Sequence, residues 1–285
     1  MTFPSFTLLG QSLLSGIFIG SLYGLLGLGL SLSWGMLRQI NLAHFALAFL
    51  GAYLTFQLTT VVGMDPLLTL AVVLPCFFAF GVLMQWLFSR FSISPFNSLL
   101  VTFGFTVIIE SVIQAIWTAD YRRMDSTYGD MKFKLGTLYL PLPELLTLGI
   151  AIALSLCTWA ALRYTDLGKA MRAAAEDAQI AAAFGVNERM LALLLSGVSA
   201  AFAGVAGLCL ALSYTLSPSQ IYAWVGVVFA AVMIGGLGRP IGPLVAGIVI
   251  GVSEALTMAL ISPAWAPLVS FSLLILVLLL RAEKI

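Results

Sequence analysis

The chain has 285 residues, of which 61% are hydrophobic and 9% charged, and its formal net charge is +1. Soluble domains are about 45–50% apolar, so a water-soluble fold could not bury this many apolar side chains. The near-neutral charge, without a basic stripe, argues against nucleic acid as a partner. The composition therefore predicts an integral membrane protein that is almost entirely helical.

Apolar segments recur along the whole chain, and a membrane-spanning helix needs about 20 mostly apolar residues. In chain order they are residues 10–33, 41–62, 66–88, 97–118, 143–163, 190–213, 222–236, 243–260 and 264–280. The seventh is expected to be too short to cross alone. The pattern predicts an all-α polytopic membrane bundle of about 8–9 spans, in which residues 1–285 form a single transmembrane domain.

Charge is concentrated in residues 119–142 and 165–189, which are therefore expected to be the main aqueous loops. If 165–189 is cytoplasmic, nine Lys and Arg residues lie on or towards that side: Arg38, Arg90, Arg163, Lys169, Arg172, Arg189, Arg239, Arg281 and Lys284. The other side then holds Arg122, Arg123, Lys132 and Lys134. The positive-inside bias favours this orientation, with 119–142 extracytoplasmic and the C-terminus cytoplasmic. The side of the N-terminus stays open.

Two segments share one spacing, in which Arg follows Gly by three residues and Ile follows Arg by two. They are Gly35-Met-Leu-Arg38-Gln-Ile40-Asn41 and Gly236-Leu-Gly-Arg239-Pro-Ile241-Gly242. The similarity is either a chance match or an internal repeat, of which an inverted repeat is one form. Gly and Pro break helices, and a broken backbone within lipid must be buried by protein or reached by water. We therefore predict two interrupted or half-membrane helices, as at transporter sites; the alternative is two ordinary cytoplasmic turns.

Few polar side chains interrupt the apolar segments. Glu110 and Glu254 are each expected to face the interior and to have a partner, because a carboxylate within the bilayer is costly. His44, the only histidine, lies three residues after Asn41 and so on the same helix face. Each of these side chains either ties helices together or lines a solute pathway. One histidine and three scattered cysteines predict no metal site, catalytic site or cofactor.

Several motifs resemble those of one transporter family. They are GKAMRAAAEDAQIAAAFGVN at 168–187, INLAH at 40–44, GGLGRPIGP at 235–243, GIVIGVSEAL at 247–256 and the apolar end 269–280. Their order and spacing, from about residue 20 to residue 280, resemble branched-chain amino acid ABC transporter permeases. One departure is Phe45, where the family usually has Gly after the histidine, and this leaves the solute open.

The resemblance implies roles for individual residues. It makes 165–189 the segment that couples the permease to an ATPase, through an amphipathic helix that carries Arg172, Glu176 and Asp177 and ends at Gly185 as its C-cap. The alternative is a solvated connector, in which Asp177 with Arg172 or Lys169 forms a surface charge cluster of little energetic value. The two breaks and the isolated polar side chains, independently of the resemblance, predict Arg38, Asn41, His44, Arg239 and Glu254 as pathway residues.

The leading hypothesis is a permease subunit of an ABC importer in a bacterial or archaeal plasma (inner) membrane, not an enzyme. Its solute would be a branched-chain amino acid or a similar small polar molecule, such as urea or an amide. No GxxxxGK[ST] loop is present to bind ATP, so two separate ATP-binding subunits, a second related permease and an extracytoplasmic binding protein are expected. The alternative is an ion-coupled secondary carrier in which Glu110 and Glu254 bind protons or sodium.

Overall fold

The computed structural model describes residues 6–91 and 94–281, and each predicted apolar segment forms a helix there. The helices are α1 Phe6–Leu37, α2 Ala43–Thr60, α3 Leu70–Arg90, α4 Pro95–Trp117, α5 Thr127–Asp130, α6 Leu142–Tyr164, α7 Asp166–Glu176, α8 Ala178–Ala183, α9 Glu188–Ser213, α10 Ile221–Gly235, α11 Gly242–Leu260 and α12 Ala266–Arg281. Two 3-10 turns, Pro218–Gln220 and Pro263–Trp265, precede α10 and α12. Lys284, one of the nine basic residues counted on the cytoplasmic side, lies outside the described residues.

Seven helices within the described ranges are long and apolar enough to cross a membrane, and an eighth apolar stretch, Pro263–Leu279, is shorter. The seven include Pro218–Gly235, which has 18 residues because a 3-10 turn runs directly into α10. The prediction that 222–236 is too short was therefore wrong. By contrast, α2 also has 18 residues but is not among the seven. It is mostly buried within the protein, so it needs no continuous apolar surface.

The predicted extracytoplasmic loop is not purely irregular, because it contains the fold's one described pair of strands. The strands β1 Lys132–Leu135 and β2 Leu138–Pro141 pair antiparallel. Gln11 near the start of α1 bonds the backbone of Tyr139 twice, with its Nε2 donating to the carbonyl and its Oε1 accepting from the amide, both at 3.0 Å. The start of α1 therefore lies on the side of this loop, which the sequence left undecided.

The most extensive helix packing is between α1 and α11, which run antiparallel. Gly16, Gly20 and Gly24 lie on α1 against the α11 backbone at Val252, Ile248 and Leu244, in that order. A Cβ on any of the three glycines would lie within 2.6 Å of an α11 backbone atom. Small residues permit this backbone contact, which replaces the hydrophobic effect as a source of cohesion in lipid.

The segment 236–241, which joins α10 to α11, lies against the end of α1. The Gly238 amide donates to the carbonyl of Ser31 at 3.0 Å and to its Oγ at 3.1 Å. Along α1, Tyr23 meets Trp224, Gly27 meets Val228, and Ser31 meets Gly236. Residue numbers rise together on both helices, so α10 runs parallel to α1.

This direction corrects one expectation from the sequence. The two segments that share the Gly–Arg–Ile spacing each follow a helix that runs towards the same end of the bundle. Each then leads into a helix that runs back. An inverted repeat would place them at opposite ends with opposite directions. The segments 38–41 and 236–241 are both non-helical, which fits interrupted helices and ordinary turns equally, and a repeat that includes them would have to be a parallel one.

Candidate functional site

The first break brings the end of α1 against α7. Arg38 has a φ of 54°, a left-handed conformation that is uncommon for a residue with a Cβ. Its exposed side chain donates from Nη2 to the carbonyl of Ala175 on α7 at 3.4 Å. The predicted pathway residue Arg38 thus lies beside the predicted coupling segment.

A cavity of about 520 Å³ opens at this junction. It lies between the end of α1, the α7–α8 region, α3 and the start of α9. Its polar lining includes Arg38, Gln39, Gln85, Glu176, Asp177 and Glu188. Gln85 is buried in α3, and sequence reasoning missed it although it is a single amide within a long apolar segment.

The coupling segment forms two helices, whereas one was predicted. Asp177 separates α7 from α8 because its carboxylate accepts bonds from the amides of Gln179 and Ile180 at 3.0 Å each, as an N-cap does. Among the described residues Asp177 forms no ion pair with Arg172 or Lys169, so the predicted charge cluster was wrong. Lys169 instead pairs with Asp166 at 2.9 Å, and this hydrogen bond keeps the pKa of the Asp166 carboxyl below its ordinary value.

The end of α8 has the predicted glycine cap. Gly185 has a φ of +87°. Its amide donates to the carbonyl of Ala182, and the amide of Val186 donates to the carbonyl of Ala181. These two bonds close a Schellman motif, which requires a left-handed residue at the position of Gly185.

One side of the coupling segment is anchored to the bundle, and the other is free. Gly168 is buried, and a Cβ there would lie 2.4 Å from the backbone of Leu162 on α6. Met171 packs on the buried cluster of Leu32, Leu162 and Leu195. The exposed side carries the charged Arg172 and Glu176. It also carries large apolar side chains, which are Leu167, Ile180 and Phe184.

Asn41 and His44 stand at the start of α2. His44 is 1% exposed, and its Nε2 lies 3.0 Å from the carbonyl of Leu26 on α1. That nitrogen must donate, so neutral His44 has Nδ1 as an acceptor, and this buried atom has no partner. The buried Oδ1 of Asn41 also has no partner. Phe45, the family departure, is buried and stacks on Phe229 of α10 at 6.1 Å between ring centroids.

Glu254 joins three helices within the bundle. The Tyr23 hydroxyl of α1 donates to its Oε2 at 2.9 Å, and the Ser270 hydroxyl of α12 donates to its Oε1. The expectation that Glu254 faces the interior with a partner is confirmed. Neither partner was identified from the sequence, although Tyr23 is the only tyrosine in α1. Arg239, in the second break, is exposed, with its side chain against Gly236.

Glu110 has partners too, but it lies on the periphery of the bundle. Its Oε2 accepts from the hydroxyl of Tyr222 on α10 at 2.8 Å, and its Oε1 accepts from Gln114 at 3.3 Å. Tyr222 also lines a cavity of about 360 Å³ between α4, α10 and the start of α2. The structure therefore keeps Glu110 apart from Glu254. Across residues 6–91 and 94–281, no His, Cys, Asp and Glu side chains gather in a group of three that could hold a metal ion.

The sequence is similar to those of known transport permeases. Residues 12–278 match the family described as branched-chain amino acid transport system, permease component. The chain is 26% identical to the high-affinity branched-chain amino acid transport system permease protein LivH of Escherichia coli K12, over 96% of this chain and 94% of that protein. It is 24% identical to the permease protein BraD of the corresponding system in Pseudomonas aeruginosa, over the same shares. It is 27% identical to a probable LivH of Methanocaldococcus jannaschii, over 87% of this chain and 81% of that protein. No solved structure gives a significant match.

Proposed function

The chain belongs to the family of branched-chain amino acid transport permeases, and we propose from this premise that it forms part of the translocation pathway for a branched-chain amino acid or a similar small polar solute. As a permease component of an ABC transport system, it is a multi-pass membrane protein and not itself an enzyme. The energy then comes from ATP hydrolysis on other subunits. Family membership favours this function over an ion-coupled carrier.

The observation that carries the proposal is the contact between Arg38 and Ala175. It joins the first break to the segment that would dock on an ATPase. Docking of a helix in a groove can transmit a rigid-body movement. The α7–α8 segment suits this role because Gly168 and Met171 fix it to the bundle, while Ile180 and Phe184 are left uncovered. A movement of the segment would therefore also move the end of α1.

The cavity at this junction supports a solute exit towards the cytoplasm. Its lining mixes a cation, carboxylates and amides, so it offers weak contacts to a zwitterion or an amide without one dominant charge. Arg38, Asn41, His44, Arg239 and Glu254 are the residues that we assign to the pathway. Asn41 supports this assignment with an unpartnered oxygen near the break. Weak binding in the permease would leave high affinity to a separate binding protein.

We further propose the assembly and its location. Two ATP-binding subunits would bind the α7–α8 side of this chain and of a second, related permease, and an extracytoplasmic binding protein would deliver the solute to the side of the β1–β2 hairpin. The membrane would be a bacterial or archaeal plasma (inner) membrane, with the C-terminus cytoplasmic. The bundle would contain about 8–9 spans if α2 and α12 also cross.

The proposal is tested by purifying the tagged chain from its native membrane and reconstituting the associated complex in proteoliposomes. ATP-dependent uptake of L-leucine is expected, and recovery of the chain without an ATPase would contradict the proposal. Phe184→Ser should weaken the ATPase contact by about 2 kcal/mol, or about thirtyfold, if Phe184 is an interface anchor. Phe133→Ser, on the exposed hairpin, is the matched control and should leave ATPase binding unchanged.

A further inference from the structure

Glu110 places a carboxylate within an apolar helix, and none of the residues assigned to the pathway bonds to it. It is half-buried on α4, seven residues before the last residue of the helix, Trp117. At about 1.5 Å per residue, this is about 10 Å along the helix from its end. A carboxylate at such a position is costly when it faces lipid. This face of α4 is therefore expected to meet water or another polar group.

The partners of Glu110 are neutral. Tyr222 and Gln114 each donate one hydrogen bond to it, and the one ion pair found among the described residues is that between Lys169 and Asp166. The two donors hold the carboxylate in a fixed orientation but leave its charge uncompensated. A cationic group of a ligand could supply the missing charge, and charge-assisted hydrogen bonds are the strong ones.

The cavity that Tyr222 lines is mostly apolar, in contrast to the Glu110 carboxylate that Tyr222 bonds. Its lining, apart from Tyr222, consists of Leu42, Phe103, Thr106, Val225 and Gly226. The Thr106 hydroxyl is already bonded to the carbonyl of Thr102 at 2.9 Å. The volume of about 360 Å³ falls within the range of small-molecule pockets. The cavity is thus apolar, and Tyr222 connects it to the charged end of the site.

We propose that Glu110, Tyr222 and this cavity form a solute-contact site for aliphatic amino acids. The Glu110 carboxylate accepts hydrogen bonds from the α-ammonium group, and the cavity receives the branched side chain. The site lies where α2 begins after the first break, because the Leu42 amide bonds Thr102 of α4 at 3.1 Å. A movement of that break would therefore change the cavity. This inference rests on the proposed function and adds a specific contact to it.

The test uses the complete reconstituted complex with saturating binding protein and radiolabelled L-leucine. Glu110→Gln keeps the size of the side chain and an acceptor for Tyr222, but it removes the charge. Uptake per complex should fall about ten- to a hundredfold, as expected for loss of a charge-assisted hydrogen bond. Glu110→Asp, which keeps the charge, should recover part of the rate. Ser111→Ala is the control, because the Ser111 hydroxyl bonds the carbonyl of Val107 on its own helix.

A second measurement separates a solute contact from a structural role. The amount of assembled complex and its ATP hydrolysis without leucine should be the same in Glu110→Gln and in the unmodified protein. Loss of assembly, with normal uptake per remaining complex, would assign Glu110 to the contact with the second permease and overturn the proposal. Normal uptake by Glu110→Gln would overturn it too. Absence of leucine uptake by the unmodified complex would instead reject the proposed function, and this inference with it.

Discussion

The hydroxyl of Tyr23 donates a 2.9 Å hydrogen bond to the carboxylate of Glu254, and this bond joins the first long helix to the penultimate one. The pair lies beside the glycine contact between α1 and α11. Tyr23 also packs edge-on against Trp224 of α10, with ring centroids 5.8 Å apart. A single phenol therefore contacts both helices that flank the second break, while Ser270 adds α12 to the same carboxylate.

Tyr23→Phe should lower stability, because it removes one of two donors to a buried carboxylate and keeps the ring packing. Loss of such a bond costs about 1–3 kcal/mol. Thermal unfolding of the purified chain in detergent, compared with the unmodified protein, measures the change. Tyr139→Phe is the control, since the Tyr139 side chain is exposed and only its backbone atoms bond Gln11. Equal unfolding temperatures for Tyr23→Phe and the unmodified chain would contradict this prediction.

Gly20→Val should reduce the amount of folded protein in the membrane. A Cβ on Gly20 would lie 2.5 Å from the α11 backbone at Gly247 and Ile248, where no side chain can turn aside. Overpacking typically costs about 1–3 kcal/mol, and separation of the two helices would cost more. Gly149→Val on α6 is the matched control, because a Cβ there meets nothing within 4 Å. Similar membrane abundance of both variants would show that α1 and α11 can move apart without loss.

Replacement of Glu176 and Asp177 together by Ala should uncouple ATP hydrolysis from transport or disassemble the complex. The change removes two exposed charges, and with Asp177 it also removes the cap of α8, which is worth about 0.5–2 kcal/mol. The readouts are co-purification of the ATPase and leucine uptake. Asp177→Asn separates the two effects, since an amide oxygen can still accept from Gln179 and Ile180. Intact ATPase association and uptake in the double variant would remove the coupling role from this segment.

Gly185→Val should have a similar effect through the backbone. Gly185 and Gly63 both have a left-handed conformation, with φ of +87° and +75°, and both have open space around the missing side chain. The local strain of Val should therefore be comparable at the two positions. Gly63 follows α2 at the opposite end of the bundle, so Gly63→Val should keep ATPase binding. Equal loss of ATPase binding in both variants would indicate general instability instead of coupling.

The sequence predicted the positions of the helices well because apolar segments and Gly or Pro breaks are local signals. It also predicted the cap at Gly185 and the inward position of Glu254. It did not predict the partners of Glu254, because the bond to Tyr23 spans 231 positions and depends on how α1 packs on α11. Nor did it predict the capping role of Asp177. A charge near Arg172 and Lys169 suggests an ion pair, whereas two free amides immediately after the residue provided nearer partners.

The last prediction concerns Asn41 and His44, which we assign to the pathway but which differ in their surroundings. His44 bonds Leu26 of α1 through Nε2, and a Cβ on Gly29 would lie 2.5 Å from its ring. Removal of its polar atoms therefore leaves the Leu26 carbonyl without a partner from this ring. The buried oxygen of Asn41 has no such bond, so its loss should cost little stability.

Asn41→Leu and His44→Met are compared for membrane abundance and leucine uptake in the same cells. For Asn41→Leu we expect normal abundance with uptake reduced or altered in selectivity, because the solute would lose an amide donor and acceptor. For His44→Met we expect lower abundance, by the loss of a buried hydrogen bond worth about 1 kcal/mol, together with reduced uptake per molecule. If uptake falls only in proportion to abundance in both variants, the two residues serve to pack the helices, and the pathway must be sought elsewhere in the bundle.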